Sequence, residues 1–152
     1  MAAAKYTSFM GDALALAEAA IAVGEVPVGA VIVRDGKIIG RGHNRTRIDQ
    51  DPTAHAEIVA IRQATQSLGN DRLEDCDLWV TLEPCTMCAG AIAHARIKRL
   101  YYAAEDPKGG AVDNGVRFFD APTCHHRPDV YTGLESERSA KLLLDFFRGR
   151  RD

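Results

Sequence analysis

Two cysteines three residues apart, Cys85 and Cys88, constrain this chain most, because β-forming residues and a proline come directly before them. Residues 77–82 are rich in β-formers, which predicts a short buried strand. Pro84 suits the first turn of a helix, since proline has no N–H to lose there. We therefore expect a helix over about residues 85–95. At its start both sulfurs can face one metal ion, and the helix dipole favours their thiolate form.

The spacing of Cys85 and Cys88 fits three kinds of site: a redox pair, half of a structural zinc site, or part of a catalytic zinc site. A thioredoxin-like redox motif usually follows the first strand of its own fold and needs no distant partner. The pattern therefore favours metal binding over redox chemistry. Cys76 is expected to be a plain buried thiol.

Length and composition favour one globular domain over residues 1–152. The chain is 46% hydrophobic and 26% charged, and no apolar run approaches the ~18 residues that a membrane span needs. The N-terminus lacks the basic region of a signal peptide, which predicts a cytoplasmic protein without a membrane partner. The net charge of −2 gives no global indication of a nucleic-acid binder, so such a role depends on local basic clusters.

Hydrophobic periodicity and turn residues predict helices that alternate with strands. Helices are expected over residues 6–23, 54–68, 85–95 and 134–148, and strands over residues 28–33, 38–39, 77–82 and 99–104. The first two strands form a hairpin, because Asp35-Gly36 supplies the positive φ angles of a tight turn. Residues 105–128 are expected to form a long, mostly irregular loop. This order predicts a mixed sheet between helices, a three-layer α/β/α domain.

A second segment, with His55 and Glu57 at the start of a helix, changes the interpretation of the cysteine pair. Taken alone, such a histidine is more often satisfied within the fold than a ligand. With two thiolates it makes three protein ligands, and a zinc site of that kind keeps its fourth position for water. Glu57 can then take the proton of that water. Helix geometry points residues i and i+2 to opposite sides, so both face one site only if His55 lies at the non-helical cap.

The His-x-Glu and Pro-Cys-x-x-Cys segments together resemble the signature of the zinc-dependent nucleoside and nucleobase deaminases. From about residue 6 to the C-terminus, the chain is similar in order and spacing to the bacterial tRNA-specific adenosine deaminases. Residues 25–30, 43–45, 51–57, 80–90, 106–110 and 145–148 carry this resemblance. It implies a cytidine-deaminase-like fold with a five-stranded mixed sheet, and Zn²⁺ held by His55, Cys85 and Cys88.

The resemblance also implies hydrolytic deamination of adenosine to inosine. Zinc lowers the pKa of its water by several units, and the resulting hydroxide attacks C6 of adenine. Glu57 removes the water proton, protonates N1 of the ring and later helps the amine to leave as ammonia. No redox or nucleotide cofactor is expected.

Substrate contacts are implied by the resemblance at four positions around the zinc site. Asn44 contacts the flipped base and Val28 walls its pocket, while Asp106 and Lys108 belong to a loop that meets the anticodon nucleotides. The residue types also permit a plainer interpretation, in which Asn44 and residues 106–110 form turns. Glu105 is a departure, since some relatives carry a basic or neutral residue there.

The C-terminal helix carries the stronger indication of nucleic-acid binding. Between residues 138 and 151 a single acid, Asp145, accompanies five basic residues: Arg138, Lys141, Arg148, Arg150 and Arg151. Arginines bind phosphates, and an aromatic side chain can stack on an unpaired base. The alternative is a phenylalanine pair packed in the core and followed by a solvated basic tail. Of Phe146 and Phe147, we expect one in each role.

The remaining predictions concern the histidines near Cys124 and the partners of the protein. Cys124-His125-His126 lacks the spacing of a zinc motif and lies in the irregular loop, so no second metal site is expected there. The resemblance implies a homodimer, and as substrate the anticodon stem-loop of an arginine tRNA.

Three functional hypotheses follow, and the leading one is adenosine-to-inosine conversion at the wobble position of a tRNA anticodon. The rival enzyme is a free-base deaminase, foremost for guanine, because such relatives share the zinc and glutamate motifs and residues 102–105 resemble that branch. The third hypothesis is a non-catalytic zinc-binding interaction module.

Overall fold

The structure, a computed structural model, describes residues 7–149. Within them the helices are α1 Met10–Ala22, α2 Ala56–Leu68, α3 Thr86–Ala95 and α4 Ser136–Arg148, and the strands are β1 Gly29–Arg34, β2 Lys37–His43, β3 Cys76–Leu82, β4 Arg99–Ala104 and β5 Asp129–Thr132. A short 3₁₀ helix spans Phe118–Asp120. None of the helices in residues 7–149 has the length and apolar character needed to cross a bilayer. The predicted start of α1 at residue 6 lies outside the described residues.

The strands form one mixed sheet in the order β2-β1-β3-β4-β5. Strand β1 runs antiparallel to both β2 and β3, while β3, β4 and β5 are parallel. In the parallel pair, Leu82 is aligned with Ala104. The chain segments that follow β3 and β4 therefore leave the sheet side by side at its carboxyl edge.

Helices cover both faces of this sheet. Ala56 and Ala60 of α2 and Ile92 of α3 pack on one face, in the same cluster as Leu78 and Val80 of β3. On the other face Met10 and Leu14 of α1 are buried with Trp79, and Leu142 of α4 packs against them. Neighbouring residues of β3 thus point to opposite layers, as in any strand buried on both sides. The predicted three-layer α/β/α fold is confirmed.

Strand β5 is a correction to the residue pattern, which predicted only four strands. Three of its four residues are exposed, and only Val130 is half-buried. It lies at the sheet edge and pairs with β4 alone. A strand this short has neither the length nor the alternation that pattern analysis detects. The five-stranded sheet implied by the family resemblance is confirmed.

Two glycines bring α2 close to the sheet. A Cβ added at Gly40 would lie 2.4 Å from the carbonyl oxygen of Ala60, and one at Gly42 would lie 2.5 Å from that of Ala56. Contacts that short admit no side chain at either position. The N-terminus of α2, which carries His55 and Glu57, is therefore seated directly on β2.

Candidate active site

Three sulfur and nitrogen donors meet where α2 and α3 begin. The Sγ atoms of Cys85 and Cys88 each lie 3.6 Å from Nδ1 of His55. All three donor atoms lie within 4.8 Å of one another. The structure thus brings together an imidazole and a thiol pair that are thirty residues apart in the chain.

Backbone conformation at the helix caps explains how these side chains converge. His55 is the N-cap residue of α2 (φ −71°, ψ 156°), and Cys85 is the N-cap residue of α3 (φ −75°, ψ 177°). Both are extended rather than helical. His55 therefore need not obey the i and i+2 geometry of a helix, and its ring lines the same cavity as the Glu57 side chain.

The surroundings of these groups shift their proton affinities. Burial raises the pKa of Glu57, which is 4% exposed, to about 7. A hydrogen bond from Cys88, together with one from His55, lowers the pKa of Cys85 to about 4 although burial opposes this. The hydrogen bond with Cys85 raises the pKa of His55. The lowered pKa favours the thiolate form of Cys85, which is the form that binds metal. The hydrogen bond with Cys85 and burial raise the pKa of Cys88, whose proton a bound metal would displace.

The donor set fits zinc. One nitrogen and two sulfurs are ligands that Zn²⁺ accepts in tetrahedral sites. Within residues 7–149 no fourth histidine, cysteine or carboxylate donor joins this group. A metal held here would keep one position open towards the adjoining cavity, as catalytic zinc sites do.

A cavity of about 310 Å³ lies against this group. It is lined by Val26, Val28, Asn44, His55, Ala56, Glu57, Leu82, Glu83, Cys85, Asp106 and Gly109. Its size is at the lower end of small-molecule sites, roughly 300–1,000 Å³, and its mixture of apolar walls and few polar groups is typical of them. Three of the predicted substrate contacts, Val28, Asn44 and Asp106, therefore lie around one space.

Asn44 is held by its backbone and leaves its side chain to the cavity. Its N–H donates to the carbonyl oxygen of Val28 (3.1 Å), and its own carbonyl accepts from the His43 ring (2.8 Å). Asn44 is 9% exposed, and among residues 7–149 no protein group is hydrogen-bonded to its side-chain amide. That amide can donate to and accept from the edge of a bound base.

Asp106, in the loop after β4, both forms a turn and lines the cavity. Its Oδ1 accepts hydrogen bonds from the N–H groups of Lys108 (3.1 Å) and Gly109 (3.0 Å), so it does form a turn. It also lines the cavity. Lys108 does not reach the cavity but lies exposed beside it.

A larger groove of about 1060 Å³ runs between this loop and α4. Lys108 and Phe147 both line it, and Phe147 is 50% exposed. Phe146 is half-buried and touches Phe147 edge to face, with ring centroids 5.4 Å apart. Arg148 is exposed and lines neither space.

The other basic residues of the C-terminal segment divide into two groups. Arg138 pairs with Glu18 at 2.9 Å, and Lys141 pairs with Asp145 at 2.6 Å. Exposed pairs of this kind contribute little to stability, about 0–1 kcal/mol. The predicted contacts of Arg150 and Arg151 lie outside the described residues.

The remaining cysteines and histidines make ordinary contacts. Cys76 is buried, which confirms the prediction of a plain buried thiol, and burial raises its pKa to about 11. Cys124 donates to the carbonyl oxygen of His126 (3.1 Å), and the His126 ring bonds to that of Ile97 (2.6 Å). The absence of a second metal site at Cys124-His125-His126 stays a prediction.

Sequence reasoning missed two buried carboxylates beside the cavity. Glu25 is 1% exposed and accepts from the N–H groups of Arg47 and Ile48, in the loop after β2. Glu83 is 2% exposed and accepts from the loop after β4. The sequence offered one signal for both acids, namely an apolar neighbour and a nearby proline. Glu25 is followed by Val26 and Pro27, and Glu83 lies between Leu82 and Pro84.

Comparisons with known proteins agree with this geometry. The family model of the MafB19-like deaminases matches residues 5–151. A tRNA-specific adenosine deaminase of Agrobacterium fabrum is 60% identical over 148 residues, 97% of each chain. A solved structure from work on A-to-I editing by tRNA:A34 deaminases is 61% identical, with a TM-score of 0.88 over 89% of this chain and 98% of that one.

A guanine deaminase from Bacillus subtilis is also similar, at 35% identity and a TM-score of 0.63 over 95% of this chain and 94% of that one. The 35% sequence identity between this chain and the guanine deaminase is well below the 60% identity between this chain and the Agrobacterium enzyme. The chain belongs to the MafB19-like deaminase family and, within it, to the tRNA-specific adenosine deaminases.

Proposed function

We propose that this tRNA adenosine deaminase is a zinc enzyme that converts adenosine to inosine at the wobble position of a tRNA anticodon. The observation that carries the proposal is the group of His55, Cys85 and Cys88, whose donor atoms meet beside a cavity lined by Glu57 and Asn44. This is a nucleophile-generating site and a base-binding site in one place.

His55, Cys85 and Cys88 would hold the metal, with the thiolates favoured by the N-terminus of α3. Bound there, Zn²⁺ supplies the Lewis acidity that makes water a nucleophile near neutral pH. The supporting facts are the nitrogen-sulfur donor set, its tight grouping and the open side facing the cavity.

Glu57 moves the protons of the reaction. Its carboxylate accepts a proton from the attacking water, passes a proton to N1 of the adenine ring, and assists departure of the C6 amine as ammonia. Water and adenosine are thereby converted to inosine and ammonia, with no other reactant. Its burial at 4% exposure and its pKa of about 7 leave both protonation states accessible at neutral pH.

The cavity walls bind and orient the base. The side-chain amide of Asn44 pairs with a ring edge, and Val28 and Leu82 supply apolar surface for the ring faces. Adenine must leave its stack to enter such a pocket, which costs least in a single-stranded anticodon loop.

Neighbouring nucleotides lie in the groove between the loop after β4 and α4. Phe147 is exposed there for stacking, Lys108 offers a cation to a phosphate, and Arg148 offers another at the end of α4. Phe146, being half-buried, supports Phe147 rather than touching RNA. Asp106 shapes the rim between groove and cavity.

Two further proposals rest on the family resemblance: an arginine tRNA as the substrate, and a homodimer. Two others rest on the sequence analysis: a cytoplasmic location without a membrane partner, and one deaminase domain over residues 1–152. Assays with individual tRNAs would test the choice of tRNA, and native mass spectrometry would test the homodimer.

Guanine deamination is the second candidate, and the similarity to the Bacillus subtilis guanine deaminase favours it. The test is direct: purified protein is incubated with a tRNA bearing A at the wobble position and, separately, with guanine. We expect inosine in the tRNA and no ammonia from guanine. The reverse result would replace the proposal with the rival.

The same preparation separates the remaining hypotheses. A non-catalytic zinc module predicts that Glu57→Ala changes no measured activity while metal stays bound. A redox role for Cys85 and Cys88 predicts a reversible disulfide and no stoichiometric zinc, which elemental analysis and thiol titration would show.

A further inference from the structure

Glu83 is a buried carboxylate that the proposed mechanism does not use. It is 2% exposed and lies between the end of β3 and Pro84. Its Oε1 accepts hydrogen bonds from the N–H of Asp106 (3.0 Å) and the side-chain amide of Asn114 (2.6 Å). A carboxylate is costly to bury without such partners.

The second oxygen accepts three more hydrogen bonds. The N–H groups of Val112, Asp113 and Asn114 all donate to Oε2 of Glu83, at 3.0–3.1 Å. Successive N–H groups that converge on one point form a nest, which is a concave site for an anion. Here the anion is a side chain of the protein itself, and it binds both ends of the segment 106–114.

Gly110 allows this segment to close around the carboxylate. A Cβ at Gly110 would lie 2.4 Å from Cδ of Glu83 and 2.6 Å from the carbonyl oxygen of Asp106, so no side chain fits. The next residue, Ala111, donates its N–H to the carbonyl oxygen of Pro84 at 2.9 Å. The segment is therefore tied to the start of α3 by backbone as well as by the Glu83 side chain.

The same segment supplies a wall of the base cavity. Asp106 and Gly109 line the cavity together with Cys85. Glu83 is bonded to the backbone of Asp106 and lies two residues before Cys85. It thereby fixes the distance between a candidate metal ligand and the wall that faces the base. Misplacing such a wall by about 1 Å is enough to weaken substrate positioning strongly.

We propose that Glu83 is a positioning residue, which holds segment 106–114 as a wall of the base cavity and so determines how tightly the RNA base is bound. This inference rests on the proposed function of the cavity. Glu83 lines the cavity but is not one of the candidate metal ligands, and the role proposed for it is to accept five hydrogen bonds from one loop.

Two variants disturb the contact between Glu83 and segment 106–114, one by changing the carboxylate and the other by changing the loop. Glu83→Gln keeps the size of the side chain but turns an NH₂ group towards backbone donors, because an amide has only one acceptor oxygen. Gly110→Ala leaves Glu83, the candidate ligands and Glu57 intact and forces the loop outwards. Gly11→Ala is the matched control, since a Cβ at this helical glycine meets nothing within 4 Å.

The measurements are steady-state kinetics on a tRNA with A at the wobble position, zinc content, thermal midpoint and amide hydrogen exchange. In both loop variants we expect KM to rise roughly ten-fold or more, with kcat changed less than about three-fold and zinc retained. Exchange at Asp106 and residues 112–114 should accelerate in Glu83→Gln. Gly11→Ala should keep the wild-type KM and kcat.

Wild-type KM in both loop variants overturns the inference. A loss of kcat that only parallels lost zinc or lost folded protein overturns it too, because Glu83 would then be merely structural. If Glu83→Gln does not fold, Gly110→Ala decides by the same criteria. Failure of the proposed function is distinct, since the wild-type protein itself would then form no inosine.

Discussion

His55 and Cys85 occupy the same position in two helices, and this determines what each residue can do. Each is an N-cap residue with extended backbone, so its side chain projects beyond the helix rather than along it. The N-termini of both helices place partial positive charge at the same point, where a thiolate is favoured. Glu57, in the first turn of α2, is then buried beside the donors instead of facing water.

Replacing Glu57 by alanine tests its role as the proton carrier. We expect kcat to fall by roughly 10²–10⁴-fold, the usual contribution of a general acid-base, with zinc content unchanged because Glu57 is not a ligand. Inosine formation and elemental analysis on the same sample measure both. Activity near the wild-type level would contradict the proposed mechanism.

Replacing Asn44 by alanine tests base recognition. Since its amide has no protein partner among residues 7–149, the change should cost little stability but remove a hydrogen bond to the base. We expect kcat/KM to fall about 10-fold or more at an unchanged thermal midpoint. Asn70→Ala, an exposed asparagine away from the cavity, is the control and should leave kcat/KM unaltered. Equal kinetics for the two variants would rule out a base contact by Asn44.

Among the elements, α4 is attached to the sheet by a narrow contact. Ser139 is its one buried residue, and the Ser139 hydroxyl donates to the carbonyl oxygen of Thr81 at 2.5 Å. Leu142 packs against the α1 layer, while Leu144 and Phe147 remain about half exposed. These exposed apolar side chains, next to Arg148, form the surface to which the proposed function assigns a stacked base and its phosphate.

Phe147→Ala separates RNA binding from packing on α4. Base-aromatic stacking contributes about 1–3 kcal/mol, so the KM for tRNA should rise roughly ten-fold or more, with a small change in thermal midpoint. Phe146→Ala is the matched variant: its half-buried ring should affect the midpoint more than KM. The opposite pattern would exchange the proposed roles of the two rings.

At the scale of the whole molecule, the sheet gathers the functional segments at one edge. The ends of β3 and β4 lead into Cys85 and into the Asp106 loop, and the starts of α2 and α3 meet beside them. The apolar clusters on the two sheet faces extend over all four helices and do not depend on the donors. The candidate metal site therefore lies at the margin of a core that is complete without it.

Chelation of the metal tests this separation of site and core. We expect removal of zinc to abolish inosine formation, and readdition of Zn²⁺ to restore it. Far-UV circular dichroism should stay native-like, because the core supplies the folding free energy, while the thermal midpoint falls since bound metal stabilises the folded state. Complete unfolding on chelation would contradict the independence of the core.

Much of this arrangement was predictable because its signals are local. Asp35 and Gly36 adopt φ angles of 52° and 74°, as the predicted hairpin turn requires, and β1 pairs with β2 as expected. Helix α2 ends at Gly69 in the left-handed conformation, as predicted. Contrary to the prediction, Pro84 does not lie in the first turn of α3 but just before Cys85, because Cys85 is the extended N-cap residue and the helix begins at Thr86. Turn and cap preferences act within a few residues, so they can be recognised without knowing the fold.

The sequence alone therefore determined the alternation of helices and strands, the donor types, and the acid beside them. Only the tertiary structure decided that His55 meets two thiols thirty residues away, that residues 129–132 pair as an edge strand, and that Glu83 holds the Asp106 loop. It also separated the exposed Phe147 from the half-buried Phe146. The physical reason is the sequence distance over which each interaction acts. Hydrogen bonds, burial and ligand geometry between distant segments depend on how the layers pack, and that packing cannot be inferred from neighbouring residues in the sequence.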